Sequence, residues 1–351
     1  MTLVPASPEP VGPEALPPPA PPWLTAAVSG VLAAAIFLAP ELLKLLAPVP
    51  LLIAGRRGGV GLAIRAAVIG AVLAPVLAGV LAVAGFGSGG AGTGLQFVVL
   101  VGVPAVLLDR CLAWTKDARR ALEIASTSYI VTGFVVVGLA GLAVPGGAGR
   151  LVADQVASAF DAHVVALEAK AGQDARMEER LRAFQQERDA WQMRSIRLFP
   201  ALTVSLLIVG FWLNVMYARW FVGGENEDDD LTRWRLGPAV LPLTMAVMTG
   251  VVLQKGPIGD LVPRIDALYW GALAGLVLLG VLYTLQGVAV VNWWFVRLRV
   301  SPLLRMVGIG AQAVFLMSPT AVVFTAVGLA DAWFDLRKLD EEAEAATGEE
   351  R

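Results

Sequence analysis

The residues best equipped for chemistry are few and stand inside apolar sequence. Asp331, Asp335 and Arg337 fall in the run Gly328-Leu329-Ala330-Asp331-Ala332-Trp333-Phe334-Asp335-Leu336-Arg337-Lys338. On a helix, Asp331 and Asp335 lie one turn apart on one face, where two carboxylates could share a proton or meet a cation. The preferred reading is plainer: an end-of-helix anchor paired with basic loops such as Arg297, Arg299 or Arg305. The other polar groups in apolar runs are amides: Gln96, Asn214, Gln286, Asn292 and Gln312. An amide both donates and accepts, which suits a neutral or zwitterionic solute, although each could equally bridge two helices. Gln286, mid-run and near Tyr283, is the first candidate for solute contact; Asn292, Asn214, Tyr283 and Gln96 follow.

Catalytic signatures are missing from the sequence. It has no HExxH, no GxSxG and no phosphate-binding loop ending in Gly-Lys-Ser/Thr. One histidine (His163) and one cysteine (Cys111) exclude the usual zinc sets and an internal disulfide. No catalytic residue, metal ligand or cofactor is assigned, and the chain is not expected to be an enzyme. The acidic run Glu225–Asp230 lacks the spacing of a calcium loop.

The elements that must position these groups are membrane helices. Hydrophobic residues make up 57% of the 351 and charged residues 16%, against about 45–50% and about 25% in soluble domains. The excess lies in runs long enough for a bilayer, which takes about 20 apolar residues per crossing. The expectation is an all-α polytopic transmembrane helical bundle of about eight to ten membrane segments. It carries a central extramembrane amphipathic helical insertion. Five regions follow: a Pro-rich tail (1–22), an N-terminal transmembrane block (23–145), the insertion (146–197), a C-terminal transmembrane block (198–338) and an acidic tail (339–351). The tail of nine prolines lacks the basic residues of a secretory leader and reads as disordered.

Within the first block, the run Trp23–Ala39 carries Ala26, Gly30 and Ala34 as a ridge that lets another helix approach closely. The next run, Leu42–Ala54, is short and interrupted by Pro48-Val49-Pro50, which predicts a half-helix or re-entrant segment shielded by protein. Spans Val60–Phe86, Leu95–Trp114 and Ile124–Val144 follow, with Gly85–Gly94 a loop. In the insertion, Val152, Val156, Phe160, Val164, Leu167 and Ala171 recur at helical spacing, as do Met177, Leu181, Phe184 and Trp191. This predicts two amphipathic helices, or one interrupted helix, packed as a hairpin. The second block holds Leu198–Phe221, Leu236–Leu253, Ala267–Val296 and Leu303–Trp333, the last broken or kinked at Pro319.

Clusters at Arg56/Arg57, Arg110–Arg120, Arg219–Arg235, Arg297–Arg305 and Arg337/Lys338 all favour the cytoplasmic side of a bacterial inner membrane. The net charge of −2 and the lack of a basic stripe give no reason to expect nucleic acid.

Several short motifs resemble the YybS-like family of bacterial predicted membrane proteins, domain of unknown function 2232. They are Pro48-Val49-Pro50 before Arg56-Arg57-Gly58-Gly59, Pro200 opening a span with Asn214, Gln286-Gly287-Val288-Ala289-Val290-Val291, and the closing Gly328-to-Lys338 run. The resemblance spans about Trp23 to Lys338, and the layout is distantly similar to the S components of energy-coupling-factor vitamin transporters. That similarity implies a solute-binding subunit that docks on a transmembrane partner and its ATPases, with Ala26, Gly30 and Ala34 as the partner-helix contact. The insertion 150–197 departs from a six-span S component.

Three functions are therefore expected to compete: a substrate-binding, transport-related protein without its own ATPase; an envelope scaffold that binds a protein through the 150–197 helices; and a membrane enzyme acting on a lipid-linked substrate, which would rely on Asp331 and Asp335.

Overall fold

The computed structural model describes residues 21–39, 41–83, 92–115, 118–171, 175–222, 239–255, 265–301 and 319–338, with parts of 232–237 and 304–308. Residues 1–20 of the Pro-rich tail, most of Gly85–Gly94, the acidic loop, Gln312 and the acidic tail lie outside them. Every regular element among the described residues is helical: α1 (Pro22–Phe37), α2 (Val49–Gly58), α3 (Val60–Val83), α4 (Thr93–Thr115), α5 (Ala118–Leu142), α6 (Gly147–Ala171), α7 (Ala175–Val222), α8 (Val240–Lys255), α9 (Asp266–Arg297) and α10 (Pro319–Phe334). Helix α4 passes through a π-helical turn at Val98–Gly102.

Five helices are long and apolar enough to cross a membrane, and three shorter apolar ones accompany them. Their outward faces are as apolar as their inward ones. On α3, Val68, Val72, Val76 and Val80 recur every fourth residue and are all more than half exposed. A water-soluble helix places charge there, so the face is matched to lipid.

The N-terminal helices pack through small residues. A Cβ on Gly30 would lie 2.6 Å from the carbonyl oxygen of Ala66 on α3, and Ala26, Ala33 and Ala34 are all buried. The ridge Ala26/Gly30/Ala34 is thus filled by α3 of the same chain. This corrects its reading as a contact for a partner helix: spacing alone says that a helix approaches, not which one.

Helix α1 is 16 residues long, about 24 Å, which is short of a bilayer core of about 30 Å. The chain continues through a helical turn at Glu41–Lys44 into the 10-residue α2. Ala47, Leu51, Leu52 and Ala54 are fully enclosed by α1, α3, α4 and α7. A broken helix is tolerated at membrane depth because neighbouring protein covers its backbone.

Helix α7 has 48 residues, or about 72 Å, so it must extend far beyond any bilayer. It runs unbroken through Arg197–Leu198, where hydropathy marks a boundary, and through Pro200. Its first half pairs with α6 as a hairpin: Phe160 stacks on Phe184 at 5.7 Å, His163 meets Phe184 edge-on at 5.2 Å, and Arg188 pairs with Asp161. Arg197 lies over Trp270 at 4.9 Å and 3.9 Å from Asp266, tying α7 to the start of α9.

Candidate functional site

Two places in the bundle gather the polar side chains. The first joins α9, α10 and the segment preceding α8. Helix α10 stops at Phe334, and Asp335 takes a left-handed conformation with φ 42°, which Asp tolerates better than most residues. Six residues along a continuing helix would place Arg337 well around the axis from Asp331. The turn instead folds Arg337 back under α10. Its Nε donates to Asp331 Oδ1 at 3.2 Å and its Nη2 to Oδ2 at 2.7 Å. Nη1 donates to the carbonyl of Thr232, and Nη2 also to that of Trp234 at 3.0 Å. Gln286 Nε2 donates to Asp331 Oδ2 at 2.8 Å, while its Oε1 accepts from the Leu236 N–H at 3.2 Å.

Asp331, Gln286 and Arg337 are at most 1% exposed. A bidentate, charge-assisted pair with every neighbour satisfied is the arrangement under which a buried ion pair is tolerable. Its chemistry is that of a clamp: the charges neutralise each other, and two otherwise irregular carbonyls gain donors. Asp335 pairs separately with Arg235 at 3.9 Å. The two carboxylates, expected on one helical face, are thus divided by the end of α10, each with its own arginine. Among the described pairs, Asp331 meets Arg337 and Asp335 meets Arg235.

The clamp closes a tight helix crossing. A Cβ on Gly287 would overlap the carbonyl of Phe324, and one on Gly328 would overlap that of Tyr283. Thr284 and Thr325 share a hydroxyl contact at 2.7 Å across the same crossing. Tyr283 is buried, with its hydroxyl 2.8 Å from Thr244 Oγ1 on α8.

The second place is a cavity of about 400 Å³ where α1 turns into α2, walled by α4 and α7. Phe37, Leu45, Pro48, Val101, Pro104, Leu108 and Phe211 make it apolar, and Lys44 and Asn214 are its polar members. Asn214 Nδ2 donates to the Leu45 carbonyl in the broken segment at 2.9 Å and to that of Gly210 at 2.6 Å. Asn214 is only 5% exposed, and its Oδ1 is buried with no hydrogen-bond partner. The two donated bonds fix which end of the amide is oxygen. Gly210 also faces the cavity, where a Cβ would meet only Leu45, at 3.5 Å.

The remaining candidates are scattered. Asn292 is half-buried near the end of α9, Gln96 is exposed on the first turn of α4, and Pro50 is buried in the first turn of α2. Asp109 packs its carboxylate onto Gly55, 2.6 Å from where a Cβ would sit, so it serves the α2–α4 contact. Sequence reasoning missed the carbonyls of Thr232 and Trp234, since main-chain acceptors carry no side-chain signal.

The chain matches the family described as Predicted membrane protein (DUF2232) over residues 26–332, and it belongs to that family. No curated protein and no solved structure matches it.

Proposed function

We propose that this protein is a solute-binding, transport-related subunit of a bacterial cytoplasmic membrane, without an ATPase of its own. The observation that carries the reading is the cavity beside the broken α1–α2 segment, lined in part by Asn214, whose buried Oδ1 has no hydrogen-bond partner. Discontinuous membrane helices are where transporters gather solute contacts, because their backbone is exposed to a cavity and not to lipid. A volume of about 400 Å³ suits a small organic molecule. The solute is largely apolar and donates one hydrogen bond to Asn214. We assign solute contact to Asn214 and not to Gln286, whose amide oxygen and nitrogen are both engaged in the clamp. Binding, not catalysis, is the proposed activity: the buried ionisable pair Asp331/Arg337 is neutralised internally and serves architecture.

Native mass spectrometry of gently purified protein tests this. The wild-type chain should carry a small adduct that dissociates on unfolding, and Gly210→Leu, which fills the cavity, should lose it. No adduct, or an equal adduct on Gly210→Leu, overturns the proposal.

One observation favours a second reading, a protein-binding scaffold. The α6–α7 hairpin exposes Val165, Trp191 and Met193. Deleting residues 150–197 should then abolish co-purification of a partner; recovery unchanged by the deletion would count against it.

A further inference from the structure

A second cavity, of about 450 Å³, lies at the end of the bundle that holds the clamp. Arg119 from the first turn of α5 and Arg235 from the segment preceding α8 line it together with Leu236, Val240, Leu241 and Tyr283. The two arginines come from elements more than 100 residues apart yet face one space. The Arg119 guanidinium lies 3.7 Å from where a Cβ on Gly237 would sit, directly over that segment.

Each arginine has a carboxylate neighbour: Arg119 pairs with Glu123 at 2.9 Å and Arg235 with Asp335 at 3.9 Å. Neither carboxylate lines the cavity. The first pair is exposed on both sides and one turn apart, a kind that holds its partners only weakly. A guanidinium carries five donors in a planar fork, so engagement with a carboxylate is compatible with a phosphate contact.

The apolar side of this cavity continues outward. On α8, Leu241, Met245, Met248 and Val252 are each 38–57% exposed and recur at helical spacing, forming one stripe that starts at the cavity and runs along the span. A basic cavity at a helix-bundle end, continuous with an apolar track, has the shape of a lipid: phosphate on the arginines, acyl chain along the stripe.

We infer that this cavity binds the headgroup of an anionic phospholipid, with Arg119 and Arg235 on the phosphate. The solute cavity at Asn214 shares no lining residue with it, so the two assignments stand or fall separately.

The test uses the full chain in bilayer discs of equimolar phosphatidylglycerol and phosphatidylcholine, released for native mass spectrometry to count retained lipids. Wild-type protein should retain phosphatidylglycerol in preference to phosphatidylcholine. The double variant Arg119→Gln/Arg235→Gln should lose about 25-fold in phosphatidylglycerol retention, from about fivefold per contact. Its phosphatidylcholine retention should be unchanged. Val240→Phe, which fills the cavity without altering a charge, should give the same loss and covers the case in which the double variant fails to fold. Excess inorganic phosphate should not displace the lipid. No preference in the wild type, a preference that survives in both variants, or displacement by phosphate alone overturns the inference.

Discussion

Replacing Arg337 with Leu removes four hydrogen bonds at once from a fully buried site. What remains is an Asp331 carboxylate held only by the Gln286 amide, and two backbone carbonyls, Thr232 and Trp234, without this donor. Breaking a buried pair from one side costs about 3–5 kcal/mol, and each buried carbonyl left unsatisfied adds about 1–3 kcal/mol, less whatever relaxation recovers. A loss of at least about 4 kcal/mol follows for the single variant, close to the whole stability of many domains. Adding Asp331→Leu deletes the stranded charge and should recover about 3 kcal/mol. The carbonyl penalty stays, so the double variant does not regain wild-type stability. Asp331→Leu alone strands the Arg337 charge and should cost about 3–5 kcal/mol. Because the same substitution recovers about 3 kcal/mol when Arg337 is already gone, the coupling energy is about 6–8 kcal/mol, above the usual range for residues in contact. Reversible unfolding by dodecyl sulfate titration in mixed micelles, followed by helix signal, reads all four corners. If Arg337→Leu loses less than about 1 kcal/mol, or the two substitutions simply add, the clamp does not hold the bundle as described.

Other outcomes follow from the packing. Gly287→Ala places its methyl on the Phe324 carbonyl and should destabilise by about 1–3 kcal/mol or more in the same titration. Gly210→Ala meets only Leu45 at ordinary contact distance and should be neutral or stabilising by up to about 1 kcal/mol; a large loss there would contradict the open cavity. Asn214→Leu leaves the Leu45 carbonyl without its side-chain donor and should cost about 1–3 kcal/mol, measured by unfolding. Cys111, the sole cysteine and 6% exposed, should react with a maleimide only after unfolding, so rapid labelling of the folded protein would argue against the α4 packing. Substituting Gly55 by Val should push Asp109 off α2 and destabilise the α2–α4 contact, seen as faster Cys111 labelling.

Much of the architecture is legible in the sequence, for reasons that differ by element. The α6–α7 hairpin shows in the turn-by-turn recurrence of Val152, Val156 and Phe160, because one buried face forces that spacing. The broken α1–α2 segment shows in Pro48 and Pro50 and in a run too short to span. The continuity of α7 does not show: hydropathy changes at Leu198 and Pro200 follows, yet neither interrupts the helix. The ridge Ala26/Gly30/Ala34 announces a close neighbour without identifying α3, since small residues serve any partner equally. The clamp was hardest. Asp331 and Gln286 are 45 residues apart, and the turn that brings Arg337 back depends on one left-handed residue, Asp335. Two of its acceptors are peptide carbonyls, which any sequence supplies. Gln286 stood out as an intramembrane amide, but its chemistry alone cannot separate a solute ligand from a helix bridge.

Solute binding beside the broken segment is tested most directly by an experimentally determined structure of protein purified from its own membrane, without added ligand. Solute binding predicts non-protein density in the cavity between α2, α4 and α7, within hydrogen-bond reach of Asn214 Oδ1. A cavity filled by the protein's own side chains, or one that is continuous lipid with no ordered contact to Asn214, would contradict it.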